Sequence, residues 1–269
     1  TYTVQEGANV NNRGFKINSG TLNVIDSSEA RTGEMVAVGS GTTSADGAGA
    51  YGVFRVEANG HLNVTDVTLR NSRPWGLNVK ICGGTATLTD VEIISSYGGG
   101  IEVTEANLGE QSQKGQATMT NCTVTQTGYF DHCSSAVSVS GGSKLIVDGG
   151  TYTSDGVAIY VFSSGGEIEV IDGTFSGEKQ VIRAEIDTST YPEYTGGVQI
   201  KGGSYTGNLA ITSPASLAVS GGIFSVEISE EYCAEGFKPE KNDDGTWGVV
   251  EEDTAVFASG SGTAEDPYI

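Results

Sequence analysis

An eight-residue motif returns throughout this chain and leaves few folds open to it. Its clearest copy is LIVDGGTY, Leu145 to Tyr152. Others begin at Leu62 (LNVTDVTL), Ala86 (ATLTDVEI), Ala117 (ATMTNCTV), Ile168 (IEVIDGTF), Val198 (VQIKGGSY) and Leu217 (LAVSGGIF), and a degenerate copy, LNVIDSSE, begins at Leu22. The first, third and eighth places are apolar. The fifth is Asp, Asn or Gly, and the sixth is Val67, Val91, Cys122 and then Gly. Eighth places recur at intervals of 24, 31, 28, 23, 30 and 19 residues between Leu69 and Phe224. A base period of roughly 20–24 residues, lengthened by insertions, marks a solenoid. The apolar spacing alternates with period 2 rather than 3.6, so the repeating element is a strand.

A second alternating segment precedes the motif in each unit: FRVEA from Phe54, LNVKI from Leu77, IEVTE from Ile101, VSVSG from Val137, IYVFS from Ile159 and IRAEI from Ile182. Each unit therefore reads strand, bend, strand, bend, short strand. Stacking such units in parallel satisfies each backbone group from the neighbours on either side and buries the inward side chains. The Gly content, 40 of 269 residues, is about twice the usual ~7% and suits many tight bends. About eight coils at the ~4.8 Å strand spacing predict a rod on the order of 40 Å long.

On these residues the chain resembles the single-stranded right-handed parallel β-helices of pectate-lyase-like proteins. The expected fold is all-β, with about eight coils over residues 1–228. Residues 229–269 are expected to form a C-terminal capping hairpin and the start of a linker to a following module. Residues 1–20 and the loop Ser27 to Ala50 are expected to cover the N-terminal end, since an open solenoid end is an unpaired edge. Asp244-Gly245 between two apolar runs signals a hairpin over Phe237 to Val250, with Trp247 over the last coil. The run GGIFS…EEYCAEGF…NDDGTWGVV also resembles a segment that recurs in large surface proteins of Gram-positive gut bacteria, and SGTAEDPYI resembles the opening of a following module there. The resemblance implies an extracellular module, cell-wall-associated or secreted.

Charge narrows the partners. Fourteen Lys and Arg against 34 Asp and Glu give −20, a field that repels nucleic acid and anionic lipid. No apolar run reaches the ~18 residues of a membrane helix, and residues 1–20 lack a signal-peptide pattern. The chain reads as a mature protein or an excised piece. Four Cys are too few for a disulfide framework.

Strand alternation assigns the second segment's faces. Phe54, Leu77, Ile101, Val137, Ile159 and Ile182 are expected inside, with Val56, Val79, Val103, Val139, Val161 and Ala184. One outward column is then Arg55, Asn78, Glu102, Ser138, Tyr160, Arg183, and the next is Glu57, Lys80, Thr104, Ser140, Phe162, Glu185. The related enzymes keep their groove on such a face. Tyr160 and Phe162 offer platforms for sugar rings, and Arg183 could grip a carboxylate. The insertions 105–115 and 186–196 leave matching corners and could wall a cleft, with Tyr191 and Tyr194 folded over it. The candidate ligand-binding set is Tyr160, Phe162, Arg183, Glu185, Tyr191 and Tyr194. The competing reading is that the second insertion merely covers Phe162, with Glu57 and Lys80 as a ladder pair.

Catalytic signatures are missing. The paired carboxylates with His that inverting hydrolases use are absent, as are the Asn-Thr-Asp, Asp-Asp, Gly-His-Gly and Arg-Ile-Lys elements of that family. Arg55, Glu57, Lys80 and Glu102 are the nearest constellation, and they do not make a calcium cage. His61 reads as a surface turn, YFDHC (Tyr129 to Cys133, with His132) as loop packing, Cys122 as a core thiol and Asn242 to Gly245 as a turn. No metal and no cofactor is expected. The leading functional expectation is a non-enzymatic surface-protein module, an adhesin-like or glycan-binding rod whose partner is a host or dietary glycan or a host surface protein. The alternatives are a polysaccharide lyase or hydrolase and a purely structural spacer.

Overall fold

The computed structural model describes residues 2–5, 14–38, 51–71, 76–96, 98–109, 112–129 and 134–252. Within them the strands form three parallel ladders, which the chain visits in turn. Ladder one stacks the first places of all eight motif copies: Leu22, Leu62, Ala86, Ala117, Leu145, Ile168, Val198 and Leu217. Ladder two stacks the eighth places Leu69, Ile93, Val124, Tyr152, Phe175, Tyr205 and Phe224. Ladder three stacks the second segment, with Phe54, Val79, Ile101, Val137, Ile159, Ile182 and Leu209 in line. The molecule is thus all-β, built mostly of parallel pairs.

The fifth motif place is Asp, Asn or Gly because the backbone there turns left-handed. Asp66, Asp90, Asn121 and Gly149 have φ of 57°, 52°, 50° and 77°, a region that short polar residues and Gly tolerate best. In the last three copies the left-handed turn passes to the sixth place: Gly173, Gly203 and Gly222.

The sixth and eighth places share one volume of core. Val67, Val91 and Cys122 are buried beside the aliphatic Leu69, Ile93 and Val124. Where the sixth place becomes Gly150, Gly173, Gly203 and Gly222, the eighth becomes Tyr152, Phe175, Tyr205 and Phe224. Those four rings stack face to face at 4.8, 5.1 and 4.6 Å between centroids. A Cβ on Gly173 would lie 3.0 Å from the Phe175 ring, and one on Gly222 would lie 3.1 Å from the Tyr205 ring. The buried tyrosine hydroxyls donate to their own bends, Tyr152 to Gly149 O (3.1 Å) and Tyr205 to Gly202 O (2.7 Å).

At the C-terminal end, Phe237–Lys241 and Trp247–Glu251 form an antiparallel hairpin. Trp247 pairs with Phe224, so the hairpin continues ladder two. Asp244 Oδ1 accepts from the Thr246 N–H and hydroxyl, closing the turn. At the other end, Phe15–Ile25 already lies in ladders three and one, so residues 15–20 of the expected cap belong to the stack. Tyr2–Gln5 pairs with Glu34–Val38. The degenerate first copy reaches its eighth position at Met35, which pairs with Leu69, and not at Glu29. Residues 39–50 of the expected cap loop, residues 130–133 with His132 and Cys133, and the SGTAEDPYI tail lie outside the described residues.

Two sequence assignments need correction. Val79, not Leu77, aligns with Phe54, so Lys80 stands beside Arg55 and Glu102 in the first outward column. Asn78 is not in that column. It sits at the corner, fully buried, donating to Leu69 O (3.0 Å) and Ile94 O (3.1 Å), while Leu77 is only half-buried. A two-residue slip preserves inside and outside along the strand, so Val56, Val79 and Val103 are all fully buried.

Candidate functional site

The outward face of ladder three carries the column Lys16, Arg55, Lys80, Glu102, Ser138, Tyr160 and Arg183. Parallel pairing brings each within reach of the next. In the N-terminal half this makes ion pairs. Arg55 Nε donates to Glu57 at 2.6 Å, Lys16 meets the same carboxylate at 3.0 Å, and Lys80 meets Glu102 at 2.6 Å. The expected Glu57–Lys80 pair is replaced because the corrected register puts Lys80 beside Glu102. Burial works against the Glu57 charge, but hydrogen bonds from Arg55 and Lys16 outweigh it, so the carboxyl sits below its ordinary range. Burial likewise opposes charge on Lys80, and Glu102 beside it more than offsets this, raising its pKa.

In the C-terminal half four of the candidate ligand-binding residues, Tyr160, Phe162, Arg183 and Glu185, meet one another. Tyr160 stacks on Phe162 at 5.0 Å, with the Arg183 guanidinium 5.3 Å from the Tyr160 ring centre. The Tyr160 hydroxyl donates to Glu185 Oε1 at 2.5 Å, and Arg183 reaches the same carboxylate at 2.9 Å. Tyr160 is 2% exposed. Phe162, Arg183, Glu185, Tyr191 and Tyr194 are half-buried.

The two insertions touch each other. Tyr194 donates to Glu105 at 3.2 Å, and its ring packs edge-on against Tyr191 at 5.7 Å. They settle on glycine bends: a Cβ on Gly141 would lie 2.6 Å from Glu105, and one on Gly165 would lie 2.7 Å from the Thr195 carbonyl. Burial and the neighbouring Glu105 raise the pKa of the Tyr194 hydroxyl. Glu105 was not among the expected site residues. Its position at the start of the first insertion, opposite the second, was the signal available.

His61 is exposed, with Nδ1 2.6 Å from Thr85 Oγ1. Cys122 is fully buried, and Cys82, Cys122 and Cys233 are free thiols. Among the described residues no three His, Cys, Asp or Glu side chains gather as a metal site, and no helix is long and apolar enough to cross a membrane. Searches of family models, curated proteins and solved structures returned no match, so a functional reading rests on this chain's own sequence and geometry.

Proposed function

We propose that this chain is a non-enzymatic extracellular module of a bacterial surface protein, and that it works as a structural rod holding its neighbours apart. In this reading the three ladders wind right-handed through about eight coils. The hand is supported by the general rule that parallel crossovers are right-handed in ~98% of cases. The surface-protein origin is supported by the resemblance of the residues around GGIFS and NDDGTWGVV to such proteins.

One observation favours the spacer over a glycan-binding strip at Tyr160. The ring that a sugar would stack on is 2% exposed, and its hydroxyl and the Arg183 guanidinium are both engaged by Glu185. A site built to grip a ligand keeps such groups open to it.

The test is the double variant Tyr160→Ala with Phe162→Ala. A structural role predicts a loss of about 2–4 kcal/mol in urea unfolding, from lost burial and ring stacking. Unchanged stability with a lost glycan-array signal would restore the binding strip. Release of reducing ends or unsaturated products from any polysaccharide in a panel of acidic and neutral polymers would overturn the non-enzymatic reading.

A further inference from the structure

Near its N-terminal end, where the chain bends from ladder three into ladder one, a cleft of about 450 Å³ opens beside the antiparallel pair of Ala106–Asn107 with Ser112–Gln113. Asn18, Arg55, Glu57, Asn59 and Asn107 line it, and Leu108, 56% exposed, overhangs it. This volume lies within the ~300–1,000 Å³ range of small-molecule sites. The strand pair is anchored. Gln113 Nε2 donates to the carbonyls of Ala58 and Gly83, the second at 2.8 Å. Ala106 is 9% exposed and sits over Gly83, where an added Cβ would lie 2.7 Å from the Ala106 Cβ. The cleft is therefore formed before any guest arrives, which lowers the ordering cost of binding.

Its carboxylates are Glu57 and Glu105, the second accepting from the Tyr194 hydroxyl at 3.2 Å. Arg55 is held by Glu57, and Lys16 shares that carboxylate. An anionic guest would have to displace Glu57 and approach a chain of net charge −20. A bare cation finds no set of three ligating side chains among the described residues. The cleft instead presents three exposed amides, at Asn18, Asn59 and Asn107. Each amide offers a donor and an acceptor; Asn107 uses its oxygen on the Gly109 N–H (3.0 Å) and keeps its NH₂. Leu108 adds an apolar surface for the C–H face of a ring. We infer that this cleft binds an uncharged, hydroxyl-rich ligand: a neutral oligosaccharide of about two to three rings. The inference goes beyond the rod reading and does not rest on it, since a rod with an empty cleft is still a rod.

The experiment titrates the whole chain with maltotriose, cellotriose, mannotriose and trigalacturonate, by saturation-transfer NMR and calorimetry. The expected result is that at least one neutral trisaccharide binds with a dissociation constant below about 1 mM, and trigalacturonate does not compete. The exposed double variant Asn18→Ala with Asn59→Ala should weaken that binding about tenfold or more, and Leu108→Ala should also weaken it. Tyr160→Phe, on the far strip, should leave it unchanged. No binding by any neutral trisaccharide at about 10 mM, tighter binding of trigalacturonate, or parental affinity in the Asn double variant would each overturn the inference.

Discussion

Cys122 stands in the motif place that Val67 and Val91 fill elsewhere, and its sulfur lies 3.5 Å from the carbonyls of Leu88 and Thr120. Burial pushes its thiol from an ordinary 9.0 up to about 11, and does the same for Cys82, where nearby Lys80 only partly offsets it. A raised pKa means the folded state holds the proton more tightly than the unfolded chain does. Stability from this source is therefore complete below pH 9 and drains away as pH climbs toward 11. Cys122→Val, the residue its neighbours use, should remove on the order of 1–3 kcal/mol of the alkaline loss between those limits. Urea unfolding of parent and variant at pH 8 and pH 10.5 checks this; parallel losses would show that the thiol contributes nothing. Alkylation should agree, with half-buried Cys233 modified well before Cys82 and Cys122.

Each strand of ladder two owes its fit to the exchange between sixth and eighth motif places, a larger side chain at one allowing only a small one at the other. Phe175 is the middle of this arrangement, stacked on Tyr152 and on Tyr205. Phe175→Leu should cost about 2–4 kcal/mol, because it leaves a cavity and breaks two ring contacts. Gly173, with φ of 139°, cannot donate a side chain to refill it. Ile93→Val, in the aliphatic part of the same ladder, should cost only about 0.5–1.5 kcal/mol. Equal losses in the two variants would dismiss the ring column as a special source of stability. This exchange was written in the sequence, since Val67 precedes Leu69 and Gly173 precedes Phe175, yet it becomes meaningful only once the two places are known to share one space. Alternation and period were enough to stack the eight first places and to set inside against outside. They were not enough to align Leu77, because a slip of two residues keeps the same faces and costs the pattern nothing. Nor could they bury Tyr160, whose ring and hydroxyl are engaged by Phe162, Arg183 and Glu185, side-chain contacts that carry no periodicity at all.

At the scale of the molecule, charge works against the fold. A net −20 on 269 residues repels itself at low salt, while the ion pairs along ladder three are partly exposed and modest in value. Raising ionic strength from about 10 mM to about 150 mM should therefore raise the thermal midpoint, because screening relieves more repulsion than it removes attraction. A falling midpoint would mean that pairs such as Lys80–Glu102 and Lys144–Glu169–Lys201 outweigh the net field. The strand registers also bear on how such a chain can change length. Leu145 to Ile168, Tyr152 to Phe175 and Ile159 to Ile182 all span the same 23 residues. A gene that duplicated or lost that stretch as one piece would rejoin all three sheets without a step, and both termini would keep their original partners. Losing a single codon inside it would instead turn the next side chains from the interior toward water until the next bend absorbed the error. Such a molecule can be lengthened or shortened over generations, but only in whole courses, like brickwork.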